Sequence, residues 1–139
     1  MLFQYLLCMI DPDVSRVLRA VPEFAERYLN LVDEADGDPG AAAAYCDLAE
    51  FAAELAGPLE RHAPVLERLM GCIEAVARES EAAEELVAWS FLDALAPDDL
   101  RRLEPWMGPE TREALFRAEL APGPASGPGT GPRRAEGRP

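Results

Sequence analysis

The chain has 139 residues, 49% of them apolar and 28% charged, with 26 acids against 13 arginines and a net charge of −13. That is one domain's length with ample material for a core, and no apolar run reaches the roughly 18 residues that would span a bilayer. A body this acidic repels phosphate backbones and anionic lipid, so neither nucleic acid nor membrane is an expected partner.

Residues 1–10 (MLFQYLLCMI) are apolar at nine of ten positions. No basic residue precedes them and Asp-Pro-Asp follows, which argues against a signal peptide. They read as a short packing helix or as an extension upstream of initiation at Met9. Asp11 and Pro12 then open a helix with Val14, Val17, Leu18 and Val21 on one face. Pro22 closes it and opens a second, striped by Phe24, Tyr28, Leu31 and Val32. Residues 33–40 (DEADGDPG) read as a loop. A third helix starts at Ala41, turns Tyr45, Leu48, Ala52 and Leu55 inward, and ends at Gly57. Pro58 and Pro64 bracket an irregular connection.

Val65, Leu69, Cys72, Ile73 and Val76 mark a fourth helix, in which Gly71 is a candidate for a close helix crossing. Ser80 is a fitting N-cap for the fifth, whose second half, residues 86–95 (LVAWSFLDAL), is apolar on every side. It is the expected central helix, burying Leu86, Trp89, Phe91, Leu92 and Leu95 against Val17, Tyr28, Leu48 and Leu69. A short helix from Pro97, a turn carrying Trp106, and a last helix from Pro109 to Leu120 complete the pattern. Residues 121–139 hold five Gly and five Pro and read as a disordered tail. The reading is therefore an all-α, compact irregular bundle of about six helices over residues 11–120, without internal repeats.

The residue inventory narrows the chemistry. Lysine is absent, and the chain has one histidine, His62. Schiff-base and P-loop chemistry lack their lysine, and Ser90 has no flanking glycine to make a nucleophile elbow. The acids at 33–38 fail the EF-hand pattern in either register, because apolar residues or glycine fall at ligand positions. Cys46, Asp47, Glu50 and His62 are the nearest approach to a metal set, yet their spacing matches no zinc pattern. Cys8, Cys46 and Cys72 are odd in number and far apart, so they read as reduced, buried thiols of a cytosolic protein. No catalytic, cofactor-binding or metal residue is assigned. A small enzyme or metal-dependent domain would require His62, Cys46 and a carboxylate to converge. An acidic mimic of nucleic acid is a further alternative.

The third helix carries the most informative surface. Asp47, Glu50 and Glu54 lie within about 60° of one another at 100° per residue, with Phe51 at the edge of the apolar face. No Arg occurs between Asp33 and Glu60. An unneutralised acidic face with an aromatic at its edge suits a basic protein partner, so Asp47, Glu50, Phe51 and Glu54 are the candidate contact residues. The loop from Asp33 to Asp38 is a possible extension of that contact.

Three segments, VPEFAERYLNLV (21–32), LVAWSFLDAL (86–95) and LEPWMGPETREAL (103–115), resemble an uncharacterised bacterial family of small all-helical domains. The likeness spans residues 14–118 and rests on apolar, structural motifs. It implies a compact helical fold and, for some members, an immunity or antitoxin-like role in which a partner protein is bound and occluded. It transfers no catalytic residues.

Overall fold

The computed structural model describes residues 10–57 and 62–120. Residues 1–9, 58–61 and 121–139 lie outside the described residues, and with them most of the apolar leader, Pro58 and the expected disordered tail. The fold is an all-α bundle, with seven α-helices and no strand among the described residues.

Helix α1 (Pro12–Ala20) begins where the Asp11 carboxylate accepts the Asp13 N–H at 2.8 Å and Pro12 takes the first turn. Its buried face is Val14, Val17 and Leu18, continued by Val21. A 3-10 turn, Pro22–Phe24, leads into α2 (Ala25–Ala35). Helix α2 runs three residues into the segment expected as loop. It closes where Asp36 adopts a left-handed conformation (φ 57°), with the Asp36 and Gly37 N–H groups on the carbonyls of Asp33 and Val32. This is a Schellman closure, so the helix ends where the chain can turn left-handed rather than where its apolar pattern stops.

Helix α3 (Ala41–Leu55) buries Tyr45, Leu48, Ala52 and Leu55 as its periodicity predicts. The Tyr45 hydroxyl donates to the Asp13 carbonyl at 3.1 Å, tying α3 to α1. In α4 (Ala63–Glu79), Gly71 corrects an expectation: it is exposed, and a Cβ built there meets nothing within 4 Å, so no helix crosses it closely.

Helix α5 (Glu81–Leu86) starts on Ser80, whose Oγ accepts the Ala83 N–H at 3.0 Å. It runs directly into a π-helical turn, Val87–Leu92, with the Asp93 N–H reaching back five residues to the Ala88 carbonyl at 3.2 Å. Helices α3, α4 and α7 all pack against this turn. Val87, Ala88, Ser90, Phe91, Leu92 and Leu95 are buried, while Leu86 and Trp89, both expected in the core, are only half-buried. The π turn fits one extra residue into its circuit. That brings Ser90 inward, and Leu86 and Trp89 fall on its outer side.

Helix α6 (Pro97–Leu103), a 3-10 turn (Glu104–Trp106) and α7 (Pro109–Leu120) follow. Helix α7 is joined to α4 by one carboxylate. Glu74 accepts the N–H groups of Glu110 and Thr111 and the Thr111 hydroxyl, each at 2.9 Å. It thereby serves as the N-terminal cap that α7's own sequence lacks. Gly108 makes this possible, because a Cβ there would overlap the Glu74 carboxyl.

Candidate functional site: an acidic helix face

The three- and four-residue spacing of Asp47, Glu50 and Glu54 brings their carboxylates up along one row of α3. The structure gathers all four candidate residues around a fifth that the sequence reading missed, Arg27 of α2. Its Nη2 lies 3.0 Å from Asp47 Oδ1 and 3.3 Å from Glu50 Oε1, its Nη1 lies 2.8 Å from Glu54 Oε2, and its Nε is 3.4 Å from Asp47 Oδ2. The guanidinium sits 5.7 Å from the centroid of the Phe51 ring, within cation–π range. The expectation that these acids have no arginine to offset them is therefore overturned. The offsetting residue lies 20 positions before Asp47 in sequence and in contact with it in space.

Exposure separates the contacts. The Arg27 and Asp47 side chains are 26% and 18% exposed, whereas Glu50 and Glu54 are 68% and 65% exposed. The forked Arg27–Asp47 pair is the firm one, and the two glutamates are screened by water and contribute little to stability. The Asp47 hydrogen bond raises the basicity of Arg27 against the opposing effect of partial burial, so the guanidinium stays charged. One cation against three carboxylates leaves the row at −2.

Phe51 is half-buried, with its ring tilted against Phe24 at 5.8 Å between centroids. It is a staple beneath Arg27 as well as an edge residue. Beside this cluster a shallow groove of about 260 Å³ runs between α2 and α3, lined by Arg27, Asn30, Leu31, Glu34 and Asp47. Asp33, Glu34, Asp36 and Asp38, at the end of α2 and in its loop, are exposed. None of the four forms an ion pair among the described residues.

Cys46 borders the same face and is exposed, correcting the expectation of a buried thiol; Cys72 is buried as expected. Partial burial, reinforced by the carboxylates of Asp93, Glu50 and Asp47, pushes the Cys46 thiol up, and burial takes Cys72 up to about 11. Both are poor nucleophiles at neutral pH. His62 is exposed at the start of α4, where Ala63 lines a hollow together with Leu55, at the far end of α3, and Ala56. Cys46 lies about 13 Å away along that helix. Among the described residues no group of three or more His, Cys, Asp or Glu is placed to hold a metal ion. Trp106 is half-buried and lines a hollow with Leu55, Leu66 and Arg102.

One signal for Arg27 was present in the sequence. It stands three residues after Phe24 and four before Leu31, inside the apolar row of α2, where a lone charge must face a counter-charge. No protein-family model, no curated protein and no solved structure matches the chain.

Proposed function

We propose that this is a non-enzymatic, cytosolic interaction domain that binds a basic protein through the α3 face, in the manner of an immunity or antitoxin-like protein. The observation that carries the reading is the surplus of carboxylate on that face. Asp47, Glu50 and Glu54 share the single cation Arg27, and four further acids at the end of α2 are unpaired among the described residues. Elsewhere paired and unpaired exposed acids are interspersed. Glu23–Arg68 and Glu79–Arg16 are matched, and Glu26, Glu67, Glu81, Glu85, Asp93, Glu113 and Glu119 form no ion pair among the described residues. What sets the α3 face apart is three carboxylates gathered on one row around one cation. A surplus of one sign on one surface steers an oppositely charged partner and sets orientation more than it adds affinity. No helix among the described residues is long and apolar enough to cross a membrane.

The test is co-purification of the partner followed by binding kinetics at low and moderate salt. Glu50→Arg should slow association, with the difference shrinking as salt rises. Phe51→Ala should speed dissociation, because it removes the ring that supports Arg27. Wild-type kinetics for both variants at both salts would place the contact on another surface.

A further inference from the structure

The groove between α2 and α3 already holds one guanidinium, that of Arg27. Arg27 lies forked on Asp47 and over the ring of Phe51, the geometry that suits a planar guanidinium and suits an ammonium poorly. With Arg27 so held, Glu34, Glu50 and Glu54 still present carboxylate oxygens to solvent, and Leu31 supplies an apolar wall for an aliphatic stem. The four acids Glu34, Asp47, Glu50 and Glu54 against Arg27 leave −3 around the groove. Arg27 is also the single basic residue between Arg19 and Arg61 in the sequence.

The same chain supplies a matching cation. Residues 122–139 carry Arg133, Arg134 and Arg138 against Glu136, a charge of +2 facing a body of −15, and every cation is a guanidinium because the chain has no lysine. Twelve residues lie between Leu120 and Arg133, enough to reach about 45 Å when extended. A domain of this size is about 35 Å across, a span shorter than the extended tether. Tethering makes the contact intramolecular, with an effective concentration set by how closely the tether's length matches the span.

Resting on the reading of this face as a surface for basic ligands, we infer that the α2–α3 groove is occupied in cis by the chain's own Arg133–Arg134 and Arg138. A basic partner would then have to displace an internal competitor, which raises the threshold for binding and rejects weakly basic proteins.

The experiment compares the full chain with its full-length R133S/R134S/R138S variant by amide NMR, and titrates both with nona-arginine. At low salt the amide signals of Asn30, Glu34, Asp47 and Glu50 should differ between the two proteins. The difference should be independent of protein concentration and should vanish at high salt. Nona-arginine should bind the variant about threefold to tenfold more tightly, the equivalent of two or three exposed ion pairs. Identical amide spectra at low salt overturn the inference. A difference that grows with concentration also overturns it, by assigning the contact to a second copy. Nona-arginine binding to the variant reports separately on the face itself. Binding there without amide differences removes only the internal contact, whereas amide differences without nona-arginine binding remove the reading of the face as a partner surface.

Discussion

Two carboxylate-centred joints hold peripheral helices to this bundle, and they do so on opposite terms. At the α4–α7 joint, Glu74 has a side chain only 12% exposed and takes three hydrogen bonds from the start of α7, in a space opened by Gly108. Thr111 and Ala114 beside it are fully buried. At the α2–α3 joint the charges outnumber those at Glu74 but lie mostly in water, and Tyr28, the one buried residue of α2, has a hydroxyl without a hydrogen-bond partner among the described residues. The comparison teaches that satisfaction and burial, not the number of charges, decide which joint is strong. The weaker joint is the one that keeps a surplus of negative charge.

The two joints share the π turn as their common support, so the largest effect should come from breaking it. Leu92→Ala, at 1% exposure, should cost about 2–5 kcal/mol in chemical denaturation. A loss under about 0.5 kcal/mol would show that the turn is not central. Next comes the α7 joint. Glu74→Ala leaves the first N–H groups of α7 without acceptors and should cost about 1.5–3 kcal/mol, and Gly108→Ala should cost a similar amount by overlap with the same carboxyl.

Glu74 also predicts a pH dependence. Burial pushes its carboxyl up, but the Glu110 and Thr111 N–H groups, the Thr111 hydroxyl and Arg78 outweigh this, and the net effect is a value below the ordinary 4.5. An acid held lower in the folded state stabilises the fold above its ordinary value. That contribution falls away as pH drops from about 4.5 through the lowered folded value. Acid titration of the E74Q variant should lack this component of the wild-type loss.

Smaller effects belong to α2. Arg27→Ala should cost about 1 kcal/mol, nearly all through Asp47, the least exposed of its partners. Tyr28→Phe should cost nothing or stabilise slightly, since it removes a buried hydroxyl that has no partner among the described residues. If Arg27→Ala destabilises as much as Glu74→Ala, exposure is not what separates the joints. Cys46, though exposed, should alkylate more slowly than a free cysteine at neutral pH, because its thiol is raised by partial burial and by Asp93, Glu50 and Asp47.

Helix starts were legible in the sequence because their chemistry is local. Asp11 and Ser80 cap as their side chains dictate, and Pro12, Pro97 and Pro109 stand in first turns. The inward faces of α1 and α3 were legible for the same reason. What the sequence hid was long-range. The caps supplied to α7 by Glu74 span 36 and 37 residues, and Arg27 answers acids up to 27 residues away. The π turn was hidden too, since a stretch that is apolar all round gives no sign of how tightly it is wound. The acids of the candidate site were readable one by one, but their balance depended on a helix whose packing partner the pattern does not name.

The central claim is that the α3 face attracts basic ligands through its local surplus of carboxylate and not through the net charge of the chain. Nona-arginine titrations of two full-length variants with the same change in charge test it directly: E50R/E54R on α3 and E113R/E119R on α7. At low salt the α3 reversal should weaken binding about tenfold and the α7 reversal less than about threefold, the gap closing as salt is raised. Equal losses in the two variants would show that only total charge matters, and would contradict the assignment of the face.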